Sequence, residues 1–264
     1  MDERAESDSG AAAAVYLALA CWLLGEFGKA RELIEEAVKR ARESGHVPTL
    51  AIVHHINGMV EILRGDAGAV FRASEALVKL SREHQMGLYL DAGSLSSGWA
   101  RARLGDQEAG VRELRQALTD HTEKANKLWV PFYEGLLAEC EGEGIGREGA
   151  LTRIDEALAL GGETGEHWTD AFLYGIRGEI LLKLDQANTA PAEAAFQTAL
   201  AIARAQQARC WELRAAMSLV QLWRDQGKRD EARELLAPVY GWFIEGLDTR
   251  DLKEAKTLLD ELAA

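Results

Sequence analysis

The sequence predicts an all-α protein: a solenoid of about six stacked helix pairs with a period of about 40 residues, closed by a capping helix over 249–264. Three observations carry this. Ala, Leu, Glu and Arg dominate the 264 residues, Val and Ile are scarcer and only four prolines occur, a composition that favours helix over strand. One set of small or apolar anchors (Ala30, Val70, Gly110, Ala150, Ala192, Ala232) recurs in steps of 40, 40, 40, 42 and 40. A second set, one helix earlier (Ala18, Gly58, Gly98, Ala138, Gly178, Val220), recurs in steps of 40, 40, 40, 40 and 42. Five of these six are Ala or Gly. Gly costs about 1 kcal/mol against Ala in a helix, so small residues in register point to close approach of two backbones.

Each element follows in order. MDERAESDSG (1–10) is polar and reads as a disordered leader, leaving 11–264 as a single superhelical domain. The apolar stretch 11–24 falls short of the ~20 residues of a membrane span. Its approach, with Asp2, Glu3, Glu6 and Asp8 around Arg4, is too acidic for a signal peptide. It reads as a buried first helix with Leu17, Cys21 and Leu24 on one face. LLGEFGKARELIEEAV (23–38) then turns into a partner helix with Leu33, Ile34, Ala37 and Val38 on its inner side. LRGDAGAVFRASEALV (63–78), RLGDQEAGVRELRQAL (103–118), GIGREGALTRIDEAL (144–158), TAPAEAAFQTALAI (189–202) and DQGKRDEARELLAPVY (225–240) repeat that second helix. The single longer step falls at LDQANTAP, a loop, where a repeat array tolerates insertion. One pair cannot bury both its faces, so neighbours stack. TRDLKEAKTLLDELAA (249–264), polar on one side, caps the last apolar face. Trp211, Trp223 and Trp242 are expected to cluster beneath it.

Gly144-Ile-Gly146-Arg-Glu-Gly149 spells G-x-G-x-x-G, the motif of a dinucleotide-binding turn. Its position argues otherwise. It sits where the period places a helix-to-helix turn, and Phe132, Leu136 and Cys140 before it keep helical spacing. Glu141, Glu143 and Glu148 beside it would repel a phosphate.

A net charge of −13 argues against a nucleic-acid partner. Cys21, Cys140 and Cys210 are odd in number and far apart, which fits a reducing, cytoplasmic setting without disulfides. His54-His55 lacks the i, i+4 spacing of a helical zinc pair, no G-x-S-x-G occurs, and Glu35-Glu36 reads as a solvated face. No catalytic residues, cofactor or metal are therefore assigned, and the chain is not read as an enzyme.

Leu24-Gly25, Phe27, Ala30, Ile34 and Ala37 resemble the second half of the tetratricopeptide repeat (TPR), here with a period longer than the usual one. Residues 168–262, most closely from Trp211 to Leu262, are similar to the C-terminal helical region of bacterial predicted ATPases linked to class III nucleotide cyclases or transcriptional regulators. No Walker A motif is present, so the resemblance implies only the helical module, in a piece of such a protein or a stand-alone relative.

TPR-like arrays line a concave groove with the first helix of each pair. In register there stand Leu19, Met59, Trp99, Glu139, Glu179 and Gln221. One turn away are Val15, His55, Leu95, Gly135, Gly175 and Met217, and further on Phe132, Phe172 and Arg214, with Arg224 nearby. The groove candidates are His55, Met59, Trp99, Phe132, Glu139, Phe172, Glu179, Arg214, Gln221 and Arg224. Exposed aromatics and Met beside charge suit a peptide or partner helix. The same aromatics would equally serve packing. The expected function is a non-catalytic interaction or sensor module that binds a peptide, partner domain or small ligand and regulates an attached NTPase or effector. The alternative is an oligomerisation scaffold associating through the N-terminal helix pair.

Overall fold

The computed structural model describes residues 8–143 and 147–263. Among these the chain is all-helical: α1 (Ser9–Leu23), α2 (Phe27–Ser44), α3 (Val47–Arg64), α4 (Ala67–Glu83), α5 (Gly87–Arg103), α6 (Gln107–Glu123), α7 (Val130–Glu143), α8 (Arg147–Thr164), α9 (Asp170–Leu184), α10 (Thr189–Gln206), α11 (Arg209–Asp225), α12 (Arg229–Gly241) and α13 (Arg250–Ala263). A short 3₁₀ turn, His167–Thr169, precedes α9. Ser9 and Gly10, expected in the leader, open α1. The Asp8 carboxylate accepts from the Ala11 N–H at 3.0 Å and binds Arg40 of α2 at 2.8 Å, which holds that start in helical form.

The repeat is structural. Each ladder anchor is the fourth residue of the second helix of its pair, and Ala30, Val70, Ala150, Ala192 and Ala232 are wholly buried, with Gly110 buried beside them. Its N–H makes the first α-type bond back to the turn: Ala30 to Glu26, Val70 to Asp66, Gly110 to Asp106, Ala192 to Asn188, Ala232 to Lys228. The second ladder is buried throughout as well. The two-residue insertion lies in the turn between α9 and α10. There Asp185 accepts from the Ala187 N–H at 2.8 Å and Asn188 Nδ2 donates to the Leu181 carbonyl at 3.1 Å.

A third ladder joins the pairs. Gly45, Gln85, Ala125, Gly165 and Gln207 each take a positive φ (62°, 56°, 59°, 79° and 56°) in the turn that ends a pair. This left-handed step reverses the chain after each second helix.

Contacts divide the chain into two compact units: the chain up to Trp22 with Glu26–Asn126, and Leu23–Gly25 with the chain from Lys127 onward. In the first, α3 packs on α4 and α5, and α5 on α6. In the second, α7, α9 and α11 pack side by side as first helices, each against its own partner, and α13 lies on α11 and α12. Leu252, Ala255, Leu258 and Leu262 form its buried stripe, as a capping helix requires. Cys21 of α1 is buried, but Leu17 of the same helix is 48% exposed and Leu24, just past its end, 37%, contrary to the inward face expected of them.

The glycine run at Gly144–Gly146 lies outside the described residues. The segment before it is helix α7 rather than a strand, and α8 begins at Arg147. No helix among the described residues is long and apolar enough to cross a membrane. All three cysteines are buried, and none of them forms a disulfide.

Candidate functional site

The second unit holds a cavity of about 160 Å³ between α7, α9, α11 and the first turn of α13. Its floor is aromatic. Phe172 stacks on Trp211 with ring centroids 5.0 Å apart and planes at 22°. Phe132 stands behind Phe172 at 5.8 Å. Gly135 makes this possible: a Cβ there would lie 2.8 Å from the Phe172 ring.

Charge surrounds the floor. Glu139 comes from α7 and Glu179 from α9, 40 positions later in the repeat. On α11 the Arg214 guanidinium stacks over the Trp211 ring at 5.2 Å and donates to Asp251 of α13 at 2.6 Å. Burial works against the Arg214 charge, and Asp251, with Cys210 and Glu139 behind it, outweighs it. Arg250 lies 3.4 Å from Glu254 and 3.8 Å from Asp251. Glu179 accepts one bond from Ser218 Oγ at 3.3 Å. Burial raises its pKa, and the neighbouring Glu139 charge raises it further, against the opposing pull of Lys183 and Ser218.

A wider recess of about 750 Å³ continues from the cavity, sharing Glu179, Ser218 and Gln221 with it. Lys183, Gln186, Thr189 and Asp225 form its polar walls. Together the two make one cleft along α9 and α11.

Five of the residues expected in the groove meet here: Glu139, Phe172, Glu179, Arg214 and Gln221. The others do not. Phe132 is wholly buried. Arg224 lies outside the lining, bound to Glu261 at 2.7 Å and Asp225 at 3.1 Å. His55, Met59 and Trp99 belong to the first unit, where they are 7%, 0% and 4% exposed. They are interior residues, not groove surface. The three C-terminal tryptophans take separate partners: Trp211 stacks on Phe172, Trp223 donates to Glu193 at 2.9 Å, and Trp242 packs edge-on against Phe243 with 43% of its surface exposed.

Two parts of the site escaped the sequence. Trp211 sits one turn before Arg214 on the same face of α11, so helical spacing from Arg214 would have found it. Arg250, Asp251 and Glu254 belong to the capping helix, outside the repeat, so no register points to them. Among the described residues, no group of three or more His, Cys, Asp or Glu is placed to hold a metal ion.

No family model matches the chain, and no curated protein matches it. Solved structures do. The apo form of RapI superposes with a TM-score of 0.63 at 12% identity, over 98% of this chain and 87% of RapI. A Rap protein complexed with Competence and Sporulation Factor superposes with a TM-score of 0.60 at 15% identity, over 97% of this chain and 80% of that protein. At these identities the likeness is one of fold, and the chain has a TPR-like helical-repeat fold of six helix pairs and a closing helix among the described residues.

Proposed function

We propose that the chain is a non-catalytic interaction module whose second unit binds a segment of a partner protein, or a peptide, in the cleft between α9 and α11. The observation that carries this reading is the joined cavity and recess, with an aromatic floor, charged walls and room for an extended chain. A Rap protein of the same fold is complexed with Competence and Sporulation Factor, which supports a ligand-binding role for such an array. The overall charge of −13 does not recommend nucleic acid as the partner. Buried cysteines without a disulfide agree with a cytoplasmic setting. In a longer chain of the bacterial ATPase type that residues 168–262 resemble, a ligand with unequal affinity for two conformations of the array would bias the attached NTPase or effector.

Gly175 supplies the test. It lines the cavity, and a Cβ on it meets nothing within 4 Å. Gly175→Trp therefore fills the cavity without a backbone clash. Peptides selected from a random display library on the native chain are expected to lose at least about tenfold in affinity (about 1.4 kcal/mol) for this variant at unchanged helicity. Selected peptides that bind both forms equally would move the site elsewhere.

The scaffold reading rests on α1, where Tyr16 and Leu17 are 40% and 48% exposed. It requires a mass in light scattering that rises with concentration. The binding-module reading expects 28.9 kDa throughout.

A further inference from the structure

We infer that the lengthened turn between α9 and α10 is the specificity element of the cleft: it opens the wider recess, and Gln186, which it carries, contacts the bound segment there. The inference rests on the cleft reading above and names the part of the wall that selects the segment.

The turn stands apart within the repeat. In four other pairs the first helix ends on a left-handed glycine: Gly25, Gly65, Gly105 or Gly227 (φ 83°, 78°, 111° and 80°). The next N–H then bonds back five residues: Glu26 to the Cys21 carbonyl, Asp66 to Glu61, Asp106 to Arg101 and Lys228 to Trp223. That closure turns the chain tightly into the second helix. Helix α9 ends otherwise. Asp185 is extended (φ −152°, ψ 122°), and its N–H bonds the Leu181 carbonyl at 3.2 Å. The same carbonyl accepts from Asn188 Nδ2 at 3.1 Å. Asp185–Asn188 is a turn of four residues, against two or three in those four pairs, and both ladders take their one step of 42 across it.

The recess lies where the turn is long. Leu182, Lys183, Gln186 and Thr189 of its lining come from this turn and the helix ends beside it, and Gln221 and Gln226 come from α11 and its end. Its volume of about 750 Å³ falls within the roughly 300–1,000 Å³ of ligand sites, which the cavity of about 160 Å³ does not reach. The longer turn thus accompanies the space that a segment of several residues needs.

Gln186 is the residue placed to use that space. It lines the recess, it is exposed, and its side-chain amide bonds no other described residue. Asp185 and Asn188 on either side are engaged within the turn. An amide side chain offers donor and acceptor together, so it matches an uncharged polar group of the segment rather than an ion.

The test uses the full chain and peptides selected on it from a random display library, titrated by calorimetry. Replacing Asp185–Asn188 with Gly-Asp, the pair found at Gly65-Asp66 and Gly105-Asp106, shortens the step of 42 to 40. This chain should keep its helicity and bind the peptides at least about tenfold more weakly. Gln186→Ala, which removes no bond of the turn, should weaken them about fivefold. A shortened chain of native helicity that binds as tightly as the native one overturns the inference, and so does undiminished binding by Gln186→Ala. Should the shortened chain fail to fold, Gln186→Ala decides alone. Gly175→Trp separates the two readings. Peptides that weaken on it and on neither turn variant leave the cleft standing and remove the turn from it. Peptides that weaken on the turn variants alone keep the turn and confine the segment to the recess. Peptides that weaken on none of the three, or a selection that yields no peptide, remove both.

Discussion

At the scale of single residues, burial decides behaviour that residue type leaves open. His55 is the sharpest instance. Burial first, and His121 nearby second, push its pKa from 6.5 down to about 4. The folded chain therefore keeps His55 neutral where the unfolded chain protonates it. Stability from this group is complete above pH 6.5 and is lost as pH falls toward about 4, by about 3 kcal/mol in all. Urea denaturation at neutral pH and near pH 4 should record that slope, and His55→Gln should flatten it. Trp99, a groove candidate by its register, is a second instance. At 4% exposure it is an interior residue, and Trp99→Ala should instead cost about 3–5 kcal/mol in the same measurement. Glu179 runs the other way. Burial first, and Glu139 nearby second, raise its pKa, so its charge is disfavoured in the folded chain, and Glu179→Gln should leave stability at neutral pH unchanged or higher in the same urea denaturation.

Between elements, the recurring distances are set by what stands at the contact. A Cβ on Gly98 would lie 2.5 Å from the Leu114 nitrogen, and one on Gly110 would lie 2.6 Å from the Gly98 carbonyl oxygen. Here α5 and α6 touch backbone to backbone, so Gly98→Ala should destabilise by about 1–3 kcal/mol despite Ala's better helix propensity. Gly162, exposed in α8 with nothing near its Cβ position, should respond oppositely and gain up to about 1 kcal/mol as Ala. The turns give a second contrast. Ala125 holds φ 59° where Gly45 and Gly165 hold 62° and 79° at equivalent positions. Ala125→Gly should stabilise by about 1 kcal/mol, and Gly45→Ala should lose as much, both read from thermal melts.

For the molecule as a whole, the −13 charge acts at a distance. It attracts a basic segment before contact and repels a second copy of the chain. Salt screens that repulsion over about 10 Å at 0.1 M, so light scattering should show less self-association at low salt than at high salt. Charge of this sign does not locate the site. The locating force is local: α7, α9 and α11 bring Glu139, Phe172, Glu179 and Trp211 together, and α13 adds Asp251 through Arg214.

The sequence by itself determined the period, the helix pairs, the buried anchors and the capping helix. These are local matters. Ala30, Val70 and their counterparts occupy one place in each pair, and the repeat converts spacing directly into packing. It also put Glu139, Phe172, Glu179, Arg214 and Gln221 in register on the side of their helices that lines the cavity. Only the tertiary structure decided which in-register positions stay open. Leu19, Met59 and Trp99 share a register with Glu139, Glu179 and Gln221, yet the first three are closed within the first unit and the last is open to solvent. The reason is physical. Register fixes the direction of a side chain from its own helix, whereas exposure depends on how far neighbouring helices close over it, and the capping helix that completes the cavity lies outside the repeat.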